Sequence, residues 1–387
     1  VVRRNADVCL FLLVAFGASW LIALPVWLGA VRLGTPVFAL VGGLMMLTPS
    51  LGVLAVWALR RRGSPLKEWA RATGLTLGPD RGRTAALLAT ALLGVPLLVA
   101  VALLISAAAG VVSLDFAGLS LFRAQLGAVL GQVPMDPRIL YVVQAVQAVL
   151  IAPFLNAIPA LGEEWGWRGW LLPRLLGDPA VTPAHAAGNE DAEVAHAGNV
   201  NAEVAGAGVA NTGVANTGVA NTGVANTGVA NTGVANTEGV NTGVANTEGV
   251  NTGVAGAGDG AAGERRGRRV WLALALSGVI WGLWHAPLTL KGYNYPALGA
   301  WAAVLFVGFC VVFGALLGWM RLRSRSVWPA VIAHGSLNAV TGLALLLGDA
   351  GAPPNPALAG VTGVVGWALL AVVVFVAFRL RPVSAPR

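Results

Sequence analysis

The chain has 387 residues, of which 56% are hydrophobic and 11% charged, and its mean hydropathy is +0.73. Soluble globular domains carry about 25% charged residues, so this composition excludes a large water-soluble core and indicates a polytopic membrane protein. The net charge of +8 is scattered over loops between apolar runs and forms no continuous basic face, which excludes a nucleic-acid partner.

A membrane span needs about 20 mostly apolar residues to cross roughly 30 Å of hydrocarbon. Eight segments qualify: 8–29, 36–59, 85–112, 139–162, 270–290, 297–320, 327–347 and 358–378. The predicted fold class is therefore all-α, with about eight transmembrane helices. Arg3 and Arg4 precede the first run, but that run is longer than the apolar region of a signal peptide and lacks a clear cleavage site. Cys9 and Cys310 lie in separate apolar segments and read as small packing residues, with no metal or disulfide spacing.

The loops alternate in charge. With the N-terminus placed in the cytoplasm, 21 of the 25 basic residues fall on the cytoplasmic side, and only Arg32, Arg123, Arg138 and Lys291 fall outside. The positive-inside rule then predicts a multi-pass protein of the cell membrane with both termini cytoplasmic.

Between spans four and five the composition changes, which divides the chain into 1–177, a segment 178–264, and 265–387. The middle segment contains six consecutive Gly-Val-Ala-Asn-Thr units over 208–237, then irregular copies interrupted by Glu238 and Glu248. A period of five could suggest a pentapeptide β-helix. Val and Ala alone offer little surface to offset ordering entropy, so the favoured reading is a low-complexity, flexible cytoplasmic insertion. His185 and His196, at its leading edge, read as solvated side chains.

Ionisable side chains are expensive in hydrocarbon, and those that occur there usually face a protein interior and have a function. Three motifs answer that description: Glu163-Glu164-Trp165-Gly166-Trp167-Arg168, Trp281-Gly282-Leu283-Trp284-His285, and His334-Gly335-Ser336-Leu337-Asn338. Residues four apart share a helix face, so Glu164 and Arg168 can pair as a structural bridge or act directly, whereas Glu163 points about 100° away. Glu163 has no cation nearby in sequence, and burial disfavours its charged form, a setting that suits a general base. His285 precedes Pro287, which weakens the helix there. His334 and Asn338 share a face and can hold a water or donate to an oxyanion. The tryptophans 165, 167, 170, 281 and 284 read as packing or interfacial residues. Helical rise puts Glu163 about 16 Å, His334 about 14 Å and His285 about 24 Å below the nearest cytoplasmic arginine, a spread that tilt or helix breaks must absorb. The apolar stretch 139–176 exceeds one span, so its helix is either very long or turns near the glutamates.

Glu-Glu-x-x-x-Arg, then an aromatic-x-x-x-His, then His-x-x-x-Asn, in this order on membrane helices, resembles the CAAX-protease and bacteriocin-processing family. These are intramembrane glutamic endopeptidases that include the type II prenyl-protein endopeptidases. The resemblance covers 139–176 and 270–347. It implies that Glu163 activates water with help from His285, that His334 and Asn338 stabilise the oxyanion, and that Glu164 and Arg168 shape the site. Trp281 stands where Phe is more usual, and the insertion is a larger departure. Ser336 points off the face shared by His334 and Asn338 and is not expected to be a nucleophile. One Glu and two His would suit a zinc hydrolase, but HExxH spacing is missing and the family is read as metal-independent, so no cofactor is expected. The implied partners are the lipid bilayer and a membrane-embedded or lipidated peptide substrate: a prenylated CAAX terminus, a bacteriocin leader or a membrane-bound regulator. A proton-coupled transporter is the competing class, although the acidic and basic motifs are not duplicated between the halves. A non-catalytic immunity or scaffold relative would carry the same motifs. Gly314 and Gly318 form a GxxxG step, a weak signal that leaves the oligomeric state open.

Overall fold

The computed structural model describes residues 5–61, 63–130, 135–181, 223–229, 231–233 and 248–383. Most of the expected insertion at 178–264, with His185 and His196, lies outside the described residues. The chain divides into two compact units, 1–181 with 270–387, and 182–269. In the second unit the described backbone consists of strands β1 (Gly223–Val229) and β2 (Asn231–Gly233), paired in parallel, and the leading part of a long helix.

The first unit is helical. It starts with α1 (Ala6–Trp27), α2 (Pro36–Met46), α3 (Thr48–Arg60), the short α4 (Leu66–Ala72) and α5 (Arg81–Ala108). After α6 (Ser120–Leu130), α7 (Pro137–Leu150) leads into α8 (Ala152–Glu164), a π-helical turn (Trp165–Leu171) and α9 (Leu172–Leu176). The second half comprises α10 (Glu248–Trp284, in this unit from Val270), α11 (Ala286–Thr289), α12 (Trp301–Ser324), α13 (Trp328–Leu345) and α14 (Val364–Leu380).

Local chemistry sets these boundaries. Thr35, Asp80 and Asp136 each accept a backbone N–H in the first turn of α2, α5 and α7, at 3.2, 2.9 and 2.8 Å. Pro49, Pro153 and Pro287 lack an N–H and stand just inside α3, α8 and α11, so the chain breaks ahead of each.

Among the described residues four helical segments are long and apolar enough to cross a membrane: α1, α2 with α3, α5 and α12. The stretch α7 to α9 makes a fifth, bent by 46°. The chain is thus an integral membrane protein, but length and composition alone give five crossings where hydropathy predicts eight. The apolar run 270–290 is broken after Trp284 and continues only as the four-residue α11, α13 has 18 residues with polar groups among them, and α14 has 17.

The centre of the unit is aromatic. Phe11 of α1 lies 4.7 Å from Trp170, and Trp167 lies 6.1 Å from Trp284, all four fully buried. Large apolar side chains such as Leu21, Leu97 and Ile158 are instead exposed, as lipid-facing positions must be. Helix α13 packs against α5, α7, α8 and α12. Its approach to α8 is close because Gly335 has no side chain: a Cβ there would stand 2.6 Å from the Pro153 carbonyl oxygen.

Candidate active site

The first motif sits where the helix changes winding. The bend in 137–176 falls at Ile151, ahead of Pro153, and not at the glutamates. At the glutamates α8 widens into the π-helical turn, a distortion common at functional sites. Side chains from neighbouring elements hold this turn: Ser50 Oγ donates to the Gly162 carbonyl at 2.7 Å, and Trp165 Nε1 donates to Thr73 Oγ1 at 2.8 Å.

Four sequence-predicted residues form a buried chain of contacts. Arg168 donates to Glu164 Oε1 at 3.1 Å, and His334 Nδ1 meets the same oxygen at 2.9 Å from α13. Glu164 is 0% and Arg168 1% exposed, so this bridge is removed from water. Arg168 also stacks over the indole of Trp281, its Cζ 4.0 Å from the ring centroid. The edge of that same indole donates Nε1–H to Glu163 Oε2 at 2.6 Å. Glu163, 1% exposed, has no other side-chain hydrogen bond among the described residues, so Oε1 is left for a ligand.

The imidazoles have defined tautomers. His285 Nδ1 lies 2.9 Å from the Trp281 carbonyl oxygen, which can only accept, so Nδ1 carries the proton and Nε2 is a free acceptor. The carboxylate at His334 Nδ1 imposes a proton there by the same logic.

Glu163, His285, His334 and Asn338 line one cavity of about 580 Å³, together with Trp281 and Trp284. The three motifs thus converge on a single space, within the size range of small-ligand sites. Asn338 is exposed and has no side-chain partner among the described residues, whereas His334 beside it is buried. Glu164 and Arg168 stand behind the cavity and do not line it. Ser336 is 0% exposed with an unpartnered hydroxyl, away from the cavity. Among the described residues no group of three His, Cys, Asp or Glu is disposed to hold a metal ion.

Residues 260–340 match the family described as type II CAAX prenyl endopeptidase Rce1-like. This part of the chain is similar to that family. The resemblance read from the motifs is borne out, and the family is one of membrane proteases. The Rce1-like match takes in His285, His334 and Asn338, while Glu163, Glu164 and Arg168 precede it. Residues 195–238 match pentapeptide repeats in eight copies, the reading that the sequence analysis set second to a flexible insertion. No curated protein and no solved structure matches the chain.

Sequence reasoning assigned Trp281 to packing and missed its link to Glu163. The one signal was a Trp where the motif resemblance leads one to expect Phe, because only the indole offers an N–H. Trp281→Phe keeps the ring under Arg168 and removes the donor. A hydrogen bond to a charged acceptor is worth about 1.5–3 kcal/mol, so steady-state kinetics should show a roughly tenfold or greater fall in kcat with KM little changed. Gly314 on α12 makes room for the guanidinium: a Cβ there would lie 2.8 Å from Arg168 Nη2. Gly314→Val should lower stability by about 1–3 kcal/mol, read as a lower thermal midpoint. Gly318 faces Leu274 and Leu172, so the GxxxG step is used inside this unit.

Proposed function

We propose that the chain is an intramembrane endopeptidase that hydrolyses a peptide bond of a membrane-associated, prenylated CAAX-type substrate with water activated by Glu163. The observation that carries this reading is the convergence of the three motifs on one cavity, in a chain whose 260–340 segment is Rce1-like.

Glu163 Oε1 accepts a proton from water as the water oxygen bonds to the scissile carbonyl carbon. Trp281 holds Oε2 and so fixes the plane of the carboxylate. His285 accepts through Nε2 and helps orient the water. Negative charge on the former carbonyl oxygen is met by the Asn338 amide and by His334, which donates from Nε2 as an imidazolium while its Nδ1–H is held by the Glu164 carboxylate at 2.9 Å. The proton held by Glu163 then passes to the leaving amine as the C–N bond breaks. Glu164 and Arg168 act as positioning residues, with Glu164 setting the tautomer and ring angle of His334. The mechanism uses no metal.

Purified full-length chain in proteoliposomes, given a farnesylated CAAX peptide and its unprenylated counterpart, tests the proposal. The prenylated peptide should be cleaved the faster, with no loss of activity on adding a chelator. Failure to cleave either peptide would overturn the proposed substrate class.

A further inference from the structure

A second cavity, of about 650 Å³, lies where the C-terminus of α12 meets the α4–α5 connection, α9 and the stretch after α14. Its charged lining comprises five arginines, Arg71, Arg83, Arg321, Arg323 and Arg325, and one carboxylate, Asp178. Arg321 is the informative member. It is 5% exposed, and its Nε is buried with no hydrogen-bond partner among the described residues. The fold makes room for its head group at Gly74, which sits at φ +86°, and a Cβ there would come within 2.9 Å of the Arg321 guanidinium. A guanidinium removed from water needs an anion close by. Asp178 supplies one negative charge against five positive ones. The negative end of the α12 dipole adds only about half a charge, and Arg83 is engaged with Asp80 at 3.1 Å.

These arginines are among those the charge pattern assigns to the cytoplasmic face, at the level of the lipid headgroups. Basic pockets between membrane helices at that level suit anionic headgroups, and the guanidinium fork matches phosphate oxygens in pairs. We propose that this cavity binds the phosphate group of an anionic phospholipid, with Arg321 as the buried anchor. The site is separate from the catalytic cavity, shares no lining residue with it, and does not depend on the peptidase reading.

Thermal unfolding of the full-length chain, delipidated in neutral detergent, tests the proposal. Phosphatidylglycerol should raise the midpoint by several degrees, and an equal amount of phosphatidylcholine should not. Arg321→Met should lose that response. Arg71→Gln with Arg323→Gln, a double variant at less buried positions, should reduce it if the first variant does not fold. Arg138→Gln, outside the cavity, should keep it. Inorganic phosphate distinguishes the sources: no rise with phosphate supports the headgroup, and a rise equal to that with lipid overturns it in favour of a soluble phosphate. Equal responses to the two lipids, or an undiminished response in the cavity variants, would overturn the site.

Discussion

Glu163→Gln should reduce cleavage of a prenylated peptide by about 10²–10⁴-fold, the range a positioned general base contributes. The loss should fall on kcat, because the proton is accepted only as the reaction proceeds. Folding should survive, since the amide oxygen of Gln can still accept the Trp281 N–H that now reaches Glu163 at 2.6 Å. A small change in thermal midpoint beside a large kinetic loss would separate chemistry from structure. Cleavage at the unmodified rate would remove Glu163 from the mechanism.

Glu164→Ala should act on stability first. It strands Arg168, which is 1% exposed, without a carboxylate and removes the acceptor of His334 Nδ1. Breaking one side of a buried pair costs about 3–5 kcal/mol, a large share of the roughly 5–15 kcal/mol that holds a typical native protein together. Glu164→Leu with Arg168→Met removes both charges and should return much of that stability. Activity should stay low in the double variant, because His334 loses the group that orients it. Thermal or denaturant unfolding reads the first effect and peptide cleavage the second. An unchanged midpoint for Glu164→Ala would show that the bridge does not hold these helices.

The contrast between these variants also marks what could be read in advance. The Glu164–Arg168 pair follows from helical spacing, and it forms at 3.1 Å even though the helix is π-wound from Trp165. Spacing left open whether the pair is structural or catalytic, and its place behind the cavity favours a positioning role. His334 reaching Glu164 across 170 residues of chain required the close packing of α13 on α8 at Gly335, which no local pattern encodes. Trp281 escaped because packing is the usual fate of an aromatic ring in a membrane helix, and its N–H gains meaning only once a carboxylate faces it. Eight spans are expected from hydropathy, and length and composition among the described residues support four or five. Hydropathy tallies apolar residues without regard to where a helix ends, and Pro287 breaks one run between Trp284 and Ala286. Arg321 was legible as a positive charge near the membrane surface, but not as a buried one, because its burial depends on Gly74 folding against it.

The proposed reaction turns on one claim: water, and no side chain of the protein, attacks the peptide bond. It is tested most directly by single-turnover cleavage of a prenylated peptide in oxygen-18 water with hydroxylamine present. Direct attack predicts one heavy oxygen in the new carboxylate, no hydroxamate product and no mass added to the protein. A hydroxamate, or an acylated protein that forms and decays at the rate of turnover, would show a covalent intermediate and contradict the account.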